Sequence, residues 1–210
     1  MIMNDIYIIG AGTYGEAIYE LATACGYNVI GFFDDDCEKN DKLIMGKPVL
    51  GRISNLKSLV DKAFAIAIGD NRTRYKIMTY IRKHGGAVPS LIHPSAYISK
   101  SAVIGDGVYI QMGAVIWTKV KIGDGSIISP NTVIAHHTTI GKACLISTLC
   151  TVGVSIVVGD FTMFGIGSIA ITGIKKVGSN VVLGAGTTVI KDVEDNVLMV
   201  GSPARKVRDI

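Results

Sequence analysis

Proton transfer near neutral pH falls to four histidines in this chain, and two of them stand together as His136-His137. Imidazole, titrating at about 6.5, suits the work of a general base. His84 precedes Gly85-Gly86 at the end of a helical pattern and is expected to cap that helix, while His93, before Pro94, is expected to be structural. His136 and His137 lie in a stretch whose interior needs neither, and an unpaired imidazole is costly to bury. On an extended strand the two would face opposite ways, so only one is expected to act. A catalytic zinc site wants three protein ligands, which two strand neighbours do not supply, so no metal is expected.

A second group of residues could hold a phosphate. Gly10-Ala11-Gly12-Thr13-Tyr14-Gly15 follows the apolar run Ile6-Tyr7-Ile8-Ile9 and opens a helical stretch, Glu16 to Ala24, ended by Gly26. Glycines there let a backbone approach a phosphate, and a helix N-terminus supplies N–H groups and the positive end of a dipole. Val29 to Phe33 then reads as a strand closing on Asp34-Asp35-Asp36, the acidic position such a motif needs about twenty residues on. The alternative is a plain tight turn. A nicotinamide-dependent oxidoreductase is the other rival, but only about three strands precede the change of pattern described next. That is half of a doubly wound dinucleotide fold, and half a fold suits a mononucleotide such as a nucleotide-sugar.

These groups must be positioned by two different kinds of chain. Up to about residue 90 the order is strand, helix, strand, then a third strand from Ala63 to Ile68 and a helix from Arg72 to His84 stopped by Gly85-Gly86. From Ile92 an apolar residue recurs at every sixth position, through Ile98, Ile104 and Ile110 as far as Val158 and Phe164. Four residues after each comes a small or β-branched one, among them Ala114, Ser126, Thr138, Cys144 and Cys150, expected at a tight corner. After a slip of one residue the pattern is expected to resume at Ile171, Val177, Leu183 and Val189. A period of six fits neither a helix nor a two-sided strand. It fits a parallel β-helix in which three hexads close one coil and like side chains stack in ladders.

With Gly10-Ala11-Gly12, Asp34-Asp35, Ala67-Ile68-Gly69-Asp70-Asn71, the hexads and Gly201-Ser202-Pro203-Ala204-Arg205 in this order, the chain resembles the hexapeptide-repeat acyltransferases. Among them it is similar to the bacterial nucleotide-aminosugar N-acetyltransferases and the related sialic acid O-acetyltransferases. The resemblance implies an α/β Rossmann-like half-domain over residues 1–90 for a nucleotide-sugar, followed by an all-β left-handed parallel β-helix over 91–210. The hand comes from the resemblance alone, since parallel crossovers are in general right-handed.

The resemblance also implies a chemistry, the transfer of an acetyl group from acetyl-coenzyme A to a sugar amine. It assigns the general base to His136, and it puts His137 where relatives carry an acid. The nucleotide-sugar is implied at Gly12, Thr13, Asp34, Asp35, Asp70, Thr73 and Tyr14, the last in place of a frequent histidine. Acetyl-coenzyme A is implied in a groove between two β-helices at Leu145 (often histidine in relatives), Ile166 and Gly184, capped by Gly201 to Ala204. One β-helix supplies one wall of that groove, so a homotrimer is expected. O-acetylation of sialic acid and a non-catalytic nucleotide-sugar-binding scaffold remain the alternatives.

Composition agrees with a packed protein: 49% of residues are hydrophobic and 18% charged over 210 residues. The net charge of +4 is spread along the chain without a basic run, which argues for an anionic ligand and against nucleic acid. No apolar run is long enough to span a membrane, and Asn4-Asp5 interrupts any signal peptide. Four cysteines without a C-x-x-C pair read as small buried thiols in a reducing compartment, so a cytoplasmic protein is expected.

Overall fold

The computed structural model describes residues 5–40, 42–55 and 60–210. The chain divides into two compact units, Met1–Leu91 and Ile92–Ile210.

In the first unit, strand β1 (Asp5–Ile9) leads through helix α1 (Thr13–Ala24) to β2 (Asn28–Phe33). A short antiparallel hairpin follows, β3 (Leu43–Ile44) with β4 (Lys47–Pro48), then β5 (Ala63–Ile66) and helix α2 (Asn71–Lys83). The parallel sheet has the order β2-β1-β5, so β1 is central, and its Ile6, Ile8 and Ile9 are fully buried. The chain passes from β1 to β2 on one side and returns from β2 to β5 on the other, which makes the carboxyl ends of β1 and β5 the switch point where such sheets bind ligands. Both helices end as the glycines predict, with Gly26 and Gly85 each at φ +83°. Two boundaries differ from the sequence reading by more than one residue. Helix α1 starts three residues earlier, because Gly12 already serves as its N-cap, and β5 stops at Ile66, short of Ile68.

The second unit is a left-handed parallel β-solenoid of about 6 turns. Val115 pairs with Val133 and Val133 with Thr151 in one ladder, Lys121 with Thr139 in a second, and Ile127 with Leu145 in a third. Each pairing joins residues one coil of three hexads apart. The six-residue apolar positions fill the interior: Ile110, Ile116, Ile128, Ile134, Ile146 and Phe164 are wholly buried. Each contributes about 2 kcal/mol relative to exposure. Ile92, Ile98 and Ile104, in the first coil of this unit, are only partly covered.

Three details of the pattern needed correction. The small residues expected at the corners, such as Ala114, Ser126 and Cys144, point inward and are buried. The corner itself is the residue just before each, which takes a left-handed conformation: Gly113 (φ +67°), Gly125 (+68°), Ala143 (+50°). The slip also falls later than expected. Ala170 pairs with Val152 and Val189 and is buried, whereas Ile171 is exposed. The added residue therefore lies between Ala170 and Val177, where a turn through Gly173 costs less than shearing a ladder. Finally, Cys144 and Cys150 are buried as expected, but Cys37 is exposed and Cys25 half-buried.

Interior hydroxyls satisfy the backbone between coils. Thr132 donates to the Ser147 carbonyl at 2.8 Å, Thr138 to that of Gly153 at 2.6 Å, and Thr162 to that of Gly178 at 2.7 Å. Buried and paired in this way, they cost the core little.

Candidate functional site

At the end of β1 the three glycines of the motif differ in purpose. Gly10 has φ +105°, and a Cβ there would lie 2.7 Å from the Ala67 carbonyl oxygen, so only glycine lets this loop meet the chain after β5. Gly15 packs against the carbonyl of Gly10, seating helix α1 on the loop. Gly12 is exposed, and a Cβ added to it would meet nothing within the chain. It is the N-cap of α1 and makes no side-chain cap hydrogen bond, and a helix N-terminus favours a nearby anion. Thr13 beside it is exposed and Tyr14 half-buried.

The acidic pair divides its work. Asp34 accepts from the Ala11 amide at 2.8 Å, from the Asp36 amide at 2.9 Å and from Lys39 at 3.1 Å. Burial pushes its carboxyl up, but these donors outweigh it and hold the group below the usual carboxylate range. Asp34 thus braces the glycine loop. Asp35 is exposed and takes the Ile53 amide at 3.0 Å through one oxygen. It lines a recess of about 340 Å³ together with Ile53, Thr73, Lys76, Ile77 and Tyr80.

Asp70 is the N-cap of α2, accepting from the Thr73 amide at 2.8 Å. Hydrogen bonding from Thr73, by side chain and backbone, holds its carboxyl below the usual range. Sequence reasoning overlooked Arg74, almost wholly buried, whose guanidinium donates to the carbonyls of Ile68 and Gly69 at 3.1 Å and to Asn71 Oδ1 at 2.8 Å. Its signal was available: Arg74, Met78 and Ile81 share the buried face of α2 at helical spacing. His84 caps α2, its Nδ1 2.8 Å from the Tyr80 carbonyl, and His93 Nδ1 accepts from the Ser95 amide at 3.1 Å.

In the β-helix, Ile134 fills the interior and the chain turns the next corner through Ala135, His136 and His137. His137 occupies the left-handed position, φ +63°, and its amide is held by the Thr118 carbonyl at 2.9 Å. The two rings were expected to face opposite ways. They do not, because the corner replaces the extended strand on which that expectation rested. Their Nδ1 atoms lie 3.0 Å apart and the rings meet edge to face. Trp117, one coil earlier, stacks on His136 at 6.0 Å and 11° between planes. The chain's single tryptophan was not singled out from sequence, although the coil repeat would have placed it next to His136. His136 is half-buried, and among the described residues no hydrogen bond engages its Nε2.

The residues implied for the coenzyme lie along another ladder. Leu145 pairs with Met163, and Met163 with Val182; Ile166 stands at the corner after Phe164, and Gly184 follows Leu183. Ile166 is exposed, and a Cβ on Gly184 would lie 3.0 Å from Val200. Gly201 accepts from the Thr188 amide at 3.0 Å, and Ala204 donates to the Thr188 carbonyl at 2.8 Å. Ala204 lines a cavity of about 400 Å³ with Ile190, Lys191 and Arg205. Leu145, Ile166 and Gly184 thus fall on successive coils of one side, while His136 and His137 sit on the corner after a different ladder. Among the described residues no helix is long and apolar enough to cross a membrane, and no group of three or more His, Cys, Asp or Glu is placed to hold a metal ion.

Residues 5–81 match the family model of the PglD N-terminal domain. A curated relative, UDP-N-acetylbacillosamine N-acetyltransferase of Bacillus subtilis, is 34% identical over 113 residues, 51% of this chain; the match spans only 51% of that protein's length. The crystal structure of PerB from Caulobacter crescentus, in complex with CoA and GDP-perosamine, is 32% identical with a TM-score of 0.89, over 99% of both chains. A histidine-to-asparagine variant of perosamine N-acetyltransferase from Caulobacter crescentus, also in complex with CoA and GDP-perosamine, is 30% identical with a TM-score of 0.76, over 100% of this chain and 99% of that one.

Proposed function

Because the chain belongs to the bacterial nucleotide-aminosugar N-acetyltransferases, we propose that it moves the acetyl group of acetyl-coenzyme A onto the amine of a nucleotide-linked amino sugar for surface glycan synthesis. The amine nitrogen attacks the thioester carbonyl while His136 Nε2 takes the amine proton. The carbon–sulfur bond then breaks, and the departing thiolate recovers the proton from the imidazolium. The observation that carries this reading is His136 itself. Its ring is clamped by Trp117 and His137, and one nitrogen is left over for a reacting group.

The nucleotide end of the substrate falls to the first unit, with the diphosphate at Gly12, Thr13 and Tyr14 on the N-terminus of α1 and the base in the recess of Asp35 and Thr73. Asp34 and Asp70 shape these loops from behind. Leu145, Ile166, Gly184, Gly201 and Ala204 form one wall for the coenzyme. The proposed enzyme is a cytoplasmic homotrimer in which a neighbouring copy completes the site, a reading supported by the place of His136 on a different corner. Apolar outer residues such as Tyr97, Met163 and Ile169 suit such packing. A stable, fully active monomer in sedimentation would sink the trimer.

Mass spectrometry of products tests the reaction. Incubation with acetyl-coenzyme A and a panel of UDP-, dTDP- and GDP-amino sugars should acetylate the amine of at least one. Acetylation of sialic acid hydroxyls alone, or no coenzyme binding, would overturn the reading. Asp35→Ala should raise KM for the nucleotide-sugar about tenfold and leave that for acetyl-coenzyme A unchanged, since a remote contact holds ground and transition states alike. Equal damage to both constants would refute the division between the units.

A further inference from the structure

We infer that Trp117 receives the sugar ring of the acceptor, its indole forming a platform for the C–H face of that ring and so selecting which amino sugars present their amine to His136. The inference rests on the reading of His136 as general base. The repeat itself supplies the control. Ser99, Trp117, Ala135 and Gly153 take the same place in successive coils, and each donates its amide to an interior residue of the next coil, at 2.9, 3.1, 2.9 and 2.9 Å. Serine, alanine and glycine close the coil as well as tryptophan does, so the fold has no need of an indole there. The side chain is accordingly 47% exposed, although Ile116 and Ile134 beside it are wholly buried.

The surface next to the indole fits a sugar. Trp117 stands over Ala135, and its ring leans across to run parallel to that of His136. Past Ala135 the column stays low through Gly153, where a Cβ would lie 2.5 Å from the Thr172 amide nitrogen. It rises again at Ile171, an exposed side chain whose amide continues the column by donating to Val189 at 3.1 Å. Trp117 and Ile171 are three coils apart, about 14 Å at the usual spacing of neighbouring strands. His136 borders the shallow floor between them. Along this column the side chains offer no hydrogen-bonding group except the indole N–H. Such a surface holds a pyranose ring through dispersion against its C–H groups and leaves the hydroxyls pointing away. An acceptor nitrogen within about 3 Å of His136 Nε2 brings the ring that bears it onto this floor, against the indole.

The indole is its own probe, because the chain contains one tryptophan. Titrating the whole protein with GDP-, UDP- and dTDP-linked amino sugars should change its fluorescence. The matching free nucleoside diphosphate has the same absorbance but no sugar, and should leave the emission unchanged. Trp117→Ala should raise KM for the nucleotide-sugar about tenfold, with KM for acetyl-coenzyme A and Kd for the free nucleoside diphosphate unaltered. Trp117→Phe should recover most of that loss, and Tm should hold in both variants. An equal change with the free nucleotide, or calorimetric binding of the nucleotide-sugar without a change in emission, would overturn the inference. So would a wild-type KM in Trp117→Ala. Dissociation of the oligomer in that variant would overturn it too, by making the indole a wall between copies. His136→Ala in the same series separates the two failures: persistent turnover there refutes the base, whereas its loss beside an unaffected Trp117→Ala refutes the platform alone.

Discussion

Two edges of the β-helix share one repeat and serve opposite ends. On the edge that follows Ile104, Ile122, Ile140 and Val158, the next residues are Gly105, Gly123, Gly141 and Gly159. Their backbones lie directly on one another, and a Cβ on Gly123 would come 2.7 Å from the Gly141 carbonyl carbon. Aspartates stitch the same edge. Asp124 accepts from the Asp106 amide at 3.0 Å, and Asp160 from the Lys142 amide at 2.7 Å. On the edge that follows Ile116 and Ile134, Trp117, His136 and His137 stand out from the backbone instead. The repeat fixes where each corner lies, and what the corner does depends on whether its side chains are consumed in closing coil on coil.

This contrast can be broken from either side. The largest effect is expected on the histidine edge. His136→Ala should lower kcat by about 10² to 10⁴ with little change in KM or Tm, because the interior positions Ile134 and Ile140 are untouched. Near-wild-type turnover would show that this edge is as structural as the other. On the glycine edge the signs reverse. Gly123→Ala sets a methyl group against backbone that has no rotamer to escape into, and should cost about 2 kcal/mol of stability while kcat at a permissive temperature holds. An unchanged denaturation midpoint would mean the coils have slack there.

The smallest effect sharpens the comparison, because it concerns an aspartate on the histidine edge. Asp192 accepts from the amides of Lys175 and Lys176 at 2.6 Å and 3.2 Å, which hold its carboxyl below the usual range. A carboxyl with a lowered folded value stabilises above the unfolded value, about pH 4, and loses that contribution as pH falls through its own. Asp192→Asn should therefore lower Tm slightly at neutral pH, and its difference from wild type should narrow below about pH 4. A difference that ignores pH would assign the effect to packing.

The architecture was more legible in the sequence than the site. The β-helix announces itself because a ladder demands the same side chain in every coil, so Ile110, Ile128 and Ile146 repeat what the geometry requires. The point of insertion was misread because Ile171 is more apolar than Ala170; hydrophobicity pointed outward where register pointed in. The histidines were found as residues but not as a pair, since their contact depends on a left-handed corner that a non-glycine residue does not advertise. Trp117 and Arg74 escaped for another reason. Their meaning lies in what they touch, a ring in the next coil and the carbonyls of Ile68 and Gly69.

The added residue between Ala170 and Val177 has a consequence for how such a chain can change. Ile169 still pairs with Thr188 and Val157 with Lys176, so the flanking ladders stay in step around the longer corner. The corner at 171–175 is stacked above those that carry Trp117 and His136. Length can therefore be gained along the edge that carries Trp117 and His136 without disturbing the ladders on either side of it. A lineage could redraw the rim of that edge by insertion, one residue at a time, and inherit the rest of the coil intact.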